Sequence, residues 1–215
     1  GGKPADVVFL LDASNSIWGP DFKKQLEFVQ NIVSMFRIGE QWTRVGLATF
    51  NSKVQVQFQL NSYLNKTALL EAIGNVEETY GDATDTASAV RYMRKYMFSK
   101  RHGSRKKVPR VGVVITDGQS SNILRTVMES SRAKRQHIHM FAVGVGSMVN
   151  KRELRGIASH PPMEYMFQVL GYGALGSVRN ILAVRTCTGR TNTVNLLPTI
   201  PEGLTRLNFY PFLAT

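Results

Sequence analysis

The chain has 215 residues, 43% of them hydrophobic, which supports one domain with a real core and would leave each half of a two-domain protein small. One cysteine excludes an internal disulfide and a multi-cysteine metal site, and no apolar run approaches the ~18–20 residues that span a bilayer, so no membrane span is expected. The formal charge of +12 sits in the second half: residues 1–98 hold ten Lys/Arg against ten Asp/Glu, and 99–215 hold seventeen against five, a bias that points to an acidic partner surface.

In chain order, Val7–Leu11 is an unbroken apolar run of strand length that stops at Asp12 and is followed by Ser14 and Ser16. Phe22, Leu26, Val29, Ile32, Val33 and Phe36 then recur at helical spacing. Val45–Phe50 is the second strand. After only Asn51, Ser52 and Lys53, Val54–Phe58 alternates strictly with glutamines, which predicts a hairpin and an antiparallel edge strand with one wet face. The loop from Tyr80 to Thr86 leads into a helix marked by Ala89, Val90, Met93, Tyr96 and Met97 and ending near Ser99.

Val111–Ile115 runs into Thr116-Asp117-Gly118, and His139–Val145 and Tyr165–Val169 complete six strands. Alternating strands and helices predict an α/β fold, a doubly wound, mostly parallel sheet with helices on both faces. A last helix spans about Ala174–Cys187. The domain is therefore assigned to residues 1–187, and 188–215, which carries Pro198, Pro201 and Pro211 among apolar residues, is read as a docked arm or linker. Cys187 is either an inert buried thiol or a partner for something outside the chain.

Asp12, Ser14 and Ser16, the Gly81–Thr86 loop and Asp117 place hydroxyls and carboxylates at strand ends, where a doubly wound sheet holds its ligands. Such an oxygen set suits a hard cation such as Mg²⁺, and the lack of His and Cys argues against zinc or copper. The competing explanation is that Asp12, Ser14 and Ser16 cap the helix near Asp21 and that Asp117 opens a turn.

Asp12-Ala13-Ser14-Asn15-Ser16, Thr84 in its loop and Thr116-Asp117-Gly118 together resemble the metal-ion-dependent adhesion site of von Willebrand factor type A domains, including the inserted domains of collagen-binding integrins. Val45–Phe50, Phe141–Gly146 and Leu154–Ser159 look like other elements of the same family, so the likeness covers about Asp6 to Cys187. The resemblance implies that Ser14, Ser16 and Thr84 bind the metal directly, that Asp12 and Asp117 act through water, and that one coordination position stays open for a partner's Glu or Asp. Mg²⁺ is the expected cation, with Mn²⁺ and Ca²⁺ as alternatives. Asp82-Ala83 stand where the family often has two glycines, Asp85 adds a nearby acid, and Ala87-Ser88 replace the Phe-Gly of integrin domains, a departure that bears on regulation more than on the metal.

The densest basic run, residues 99–110, contains Lys100, Arg101, Arg105, Lys106, Lys107 and Arg110, read either as a solvated loop or as a polyanion site, with Arg132, Lys134, Arg135, His137 and His139 as an extension. No aromatic residue interrupts it, which argues against stacking on nucleic acid bases. Asn65-Lys66-Thr67 is a glycosylation sequon and weak support for secretion. Gly144-Val145-Gly146 lacks a third glycine, and no phosphate loop, hydrolase elbow or phosphatase Asp-x-Asp occurs, so no nucleotide cofactor and no catalysis are expected.

The reading is a secreted, extracellular-matrix adhesion module that binds a matrix protein such as collagen through a cation. The alternative is a structural matrix module whose basic half holds sulfated polysaccharide or another acidic matrix component without metal.

Overall fold

Six strands form one sheet in the computed structural model, which describes residues 3–188. They are β1 (Asp6–Asp12), β2 (Arg44–Phe50), β3 (Val54–Phe58), β4 (Arg110–Thr116), β5 (Ile138–Val145) and β6 (Met166–Val169), in the order β3-β2-β1-β4-β5-β6. All neighbours pair in parallel except β2 and β3, the predicted hairpin. Asp6 lies level with both Arg44 and Arg110, so the three central strands begin together and end together.

Period-two geometry divides β1 between two cores. Val7, Phe9 and Leu11 pack with residues of α1 (Gly19–Ser34), α2 (Lys66–Gly74) and α7 (Gly176–Thr188). Val8 and Leu10 point the other way, into α3 (Thr86–Tyr92), α4 (Ile123–Arg135) and α5 (Lys151–Ile157). Every residue of β1 is buried, and each large apolar side chain so enclosed contributes about 1.5–3 kcal/mol. A strand covered on both faces is fixed in register, which holds Asp12 at the sheet's edge.

The helix predicted to end near Ser99 continues from α3 through a single wide turn, Met93–Met97, where the Phe98 N–H reaches back five residues to the Met93 carbonyl. A short α6 (Pro162–Tyr165) precedes β6. α4 buries Thr126, Glu129 and Ser130 beside Ala133, and Glu129 lies 2.8 Å from Arg94 with both side chains buried. The arm or linker expected over 188–215 lies outside the described residues apart from Thr188, as does the side chain of Cys187.

Candidate metal centre

Asp12 ends β1 with no solvent exposure. Its carbonyl accepts from Gln25 Nε2 of α1 at 3.1 Å, its Oδ1 accepts from the Ser14 N–H at 3.0 Å, and its Oδ2 accepts from Thr116 Oγ1 at 2.7 Å. These bonds turn the chain sharply after the strand and hold the carboxylate behind the serines. Ser14 Oγ lies 3.0 Å from Ser16 Oγ, and Ser16 Oγ donates to Asp117 Oδ1 at 3.1 Å. Adjacent corners of an octahedron with bonds of ~2.0–2.1 Å are about 2.9 Å apart, so the two serine oxygens already sit close to the spacing of neighbouring ligands on a hard cation.

Thr84 is tied by its backbone to the loop after β4. Its N–H donates to Ser121 Oγ at 3.1 Å and its carbonyl accepts from the Ser121 N–H at 2.9 Å, which clasps the third motif to the second. Asn15 closes the remaining side: its N–H donates to Gly81 O at 3.0 Å, its Oδ1 accepts from the Gly81 N–H at 2.8 Å, and its Nδ2 donates to Asp82. Gly81 permits this approach, since a Cβ there would lie 2.5 Å from Asn51 Cγ. The three loops are thus sewn into a closed triangle.

Electrostatically the centre is short of positive charge. Burial pushes the Asp12 carboxyl above its ordinary range, only partly offset by the bonds from Thr116 and Ser14, and burial does the same to Asp117 against the bond from Ser16. Among the described residues no Lys, Arg or His forms an ion pair with either acid. The buried Tyr172 hydroxyl has no hydrogen-bond partner there either, and its ionisation is suppressed by burial and then by the charges of Asp117, Asp12 and Asp21. A buried and a half-buried acid without a countercharge among the described residues, beside an unused phenol, suit a site that takes a cation with its water.

Helix capping does not account for these residues. α1 begins after Trp18 without a side-chain cap, and α4 is capped by Asn122, whose Oδ1 accepts from the Arg125 N–H at 2.9 Å. Asp85 has another task, since its Oδ1 accepts from the Ser88 N–H and caps α3, and Asp82 is held by Asn15. Thus Asp82 and Asp85 are both engaged outside the serine cluster. No group of three or more His, Cys, Asp or Glu arranged for a metal occurs among the described residues, so a cation here depends on hydroxyl oxygens.

The structure also redistributes the predicted basic site. Arg105 is a structural residue: its Nη2 and Nε lie 2.7 and 2.9 Å from Asp6 Oδ1, because a fully buried carboxylate needs a cation on it. Arg110 donates to Gln136 O, whereas Lys100, Arg101, Lys106 and Lys107 are exposed. Asn65 is exposed and caps α2 through the Ala68 N–H, an arrangement that leaves its Nδ2 uncommitted among the described residues. His139, read in the sequence as an extension of the basic run, stacks on Tyr165, and burial and then the charge of His137 lower its pKa below the ordinary value.

Sequence reasoning missed the supports. Thr116, Gln25, Asn15 and Ser121 position the predicted ligands, and Glu153 of α5 anchors the loop after β4 by accepting from Ser120 N and Oγ. Beside the serines, exposed Trp18 and Tyr80 flank a groove of about 500 Å³ lined also by Asn15, Ser16, Pro20 and Glu78.

The sequence profile of the von Willebrand factor type A domain matches residues 6–180, and the chain belongs to that family. Matrilin-1 of Gallus gallus is 33% identical over 187 residues, 86% of this chain and 37% of matrilin-1. The collagen alpha-1(XII) chain of Notophthalmus viridescens is 31% identical over 183 residues, 85% of this chain and 19% of the collagen. This chain therefore spans well under half the length of both. Proximal thread matrix protein 1 of the mussel byssus, solved with a zinc-occupied MIDAS motif, superposes with a TM-score of 0.78 at 27% identity over 86% of this chain and 46% of that one.

Proposed function

We propose that this domain is a non-catalytic adhesion module of a secreted matrix protein, binding an acidic side chain of a matrix protein such as collagen through a divalent cation. Ser14, Ser16 and Thr84 hold the ion directly, and Asp12 and Asp117 hold it through water. When bound, the cation supplies a Lewis-acidic position that a partner's carboxylate completes. The carrying observation is the pair of hydroxyls Ser14 Oγ and Ser16 Oγ at octahedral spacing, with Asp117 accepting from Ser16 and a buried Asp12, unpaired among the described residues, behind them.

The chain's own residues divide the work. The hydroxyls contribute oxygen without charge, so the bound ion keeps positive charge that attracts an acid. Asp12 and Asp117 carry the countercharge that retains it. Trp18 and Tyr80 present apolar surface beside the open side, where the residues flanking the partner's acid would pack. Mg²⁺ is the proposed physiological ion, since hydroxyls and waters suit it. The zinc in the mussel relative's motif runs against excluding zinc on ligand type alone, and availability then decides which ion is held.

Binding of the chain to immobilised fibrillar collagen, in Mg²⁺ and in chelator, tests the reading. Binding is expected in Mg²⁺, to be lost in chelator and in Ser14→Ala, and to weaken several-fold in Trp18→Ala. Collagen binding that survives both chelator and Ser14→Ala would overturn it.

A further inference from the structure

Because β1, β2, β4 and β5 run parallel, the residues that precede them gather at the end of the sheet opposite Asp12 and Asp117. The seven residues of β1 separate the two ends by about 20 Å. Residues 99–110 cross the starts of β1 and β2 there: the Asp6 N–H donates to Pro109 O at 2.9 Å and Arg44 Nη1 donates to Gly103 O at 3.0 Å.

The cations of this segment fall into two groups. Arg105 is spent on Asp6 and on the carbonyls of Ala5, Glu40 and Trp42, and Arg110 on Gln136 O. Lys100, Arg101, Lys106 and Lys107 are exposed, and their side chains make no hydrogen bond or ion pair among the described residues. Asp6 is paired with Arg105, and Glu40 meets the segment through its backbone carbonyl, which accepts from Arg105 Nη1.

Neighbouring cations have structural work that these four lack. Lys134 and Arg135 lie in the last turn of α4, where they complement the helix dipole, and Lys134 Nζ also donates to the carbonyls of Gly156 and Ala158. The turn Lys100–His102 is only three residues long and offers no comparable dipole. Four unpaired charges within eight residues of chain repel one another, a cost that an anionic ligand removes.

We infer that this end of the domain is a second binding surface, for a sulfated polysaccharide, which works independently of the cation site at the other end. Sulfate esters are permanently ionised and present several acceptor oxygens. A linear chain with charge on successive sugars matches flexible cations strung along a loop. Residues 99–110 contain no Phe, Tyr or Trp, so a nucleic acid would find no large aromatic side chain on which to stack its bases there. A domain built this way joins two matrix components, one at each end of its sheet.

Heparin is the probe, with the full chain titrated at low and at near-physiological salt, with and without chelator. Affinity should fall at least about tenfold on raising salt from ~0.05 to ~0.3 M, and stay within twofold on adding chelator or in Ser14→Ala. Changing Lys100, Arg101, Lys106 and Lys107 together to Gln should weaken heparin about tenfold or more. Changing the exposed Lys23, Lys53, Lys95 and Lys151 to Gln alters net charge equally and should change affinity by less than twofold. Equal loss in both quadruple variants, loss on chelation, or tighter binding of a single-stranded oligonucleotide than of heparin would each overturn the inference.

Discussion

Asp12 and Glu129 are both buried carboxylates, and the fold treats them in opposite ways. Asp12 receives hydrogen bonds from Ser14 and Thr116 but pairs with no Lys, Arg or His among the described residues, and its carboxyl is pushed up by burial. Asp12→Asn keeps the shape and removes the charge, so in chelator its unfolding free energy should equal or exceed that of the unmodified chain, while Mg²⁺ affinity falls at least about tenfold. Denaturant unfolding and calorimetric titration check the two halves separately. Burial would also raise Glu129, but the hydrogen bonds and charges of Arg94 and Arg132 outweigh it and leave its carboxyl below the ordinary 4.5. A depressed folded value gives stability that is present above the ordinary value and lost as pH falls through the folded one, so stability should decline below about pH 4.5. Arg94→Met leaves Glu129 with only the half-exposed Arg132 as its cation and should cost about 2 kcal/mol at neutral pH, measured by denaturant unfolding.

Among elements, the three loops act as one because each is bonded to the other two. Ser121→Ala removes the acceptor of the Thr84 N–H at an exposed position, so stability in chelator should fall by under about 1 kcal/mol while Mg²⁺ affinity falls several-fold. A variant that loses stability and leaves affinity unchanged would mean that the clasp serves folding alone. The strands were legible in the sequence because apolar runs such as Val7–Leu11 have few other uses, and the edge strand because Val54–Phe58 alternates. The proposed ligands of the first and third motifs were legible because Asp12 to Ser16 and Thr116-Asp117 fall at strand ends, whereas Thr84 lies between α2 and α3 and was marked by the family resemblance alone. α4 was not marked by apolar periodicity, since its buried side includes Thr126, Glu129 and Ser130, whose burial depends on partners distant in the chain. Arg105 reads in sequence as one cation among six, and only its pairing with Asp6, 99 residues away, separates it from its neighbours. Tyr172 carries no local signal at all, because what matters about it is the company of acids from other loops.

On the scale of the whole molecule, parallel strands give the sheet two unlike ends. Carboxylates and hydroxyls collect where the strands finish, and unpaired cations collect where they start, so charge is sorted by the direction of the chain. With the two proposed sites in place, this arrangement would keep the basic end from competing for the cation and direct acidic partners to two separate places. The cation is linked to folding as well, because a site assembled from three loops does not exist in the unfolded chain. At a concentration 100 times its Kd the ion should add about 2.7 kcal/mol to the unfolding free energy. Calorimetric titration of Mg²⁺ into the chain and into Thr84→Ala asks most directly whether hydroxyls from separate loops hold one ion. The account predicts one site per chain, weakened at least about tenfold by the substitution; an unmodified chain that takes up no ion, or a variant that binds it equally well, would contradict it.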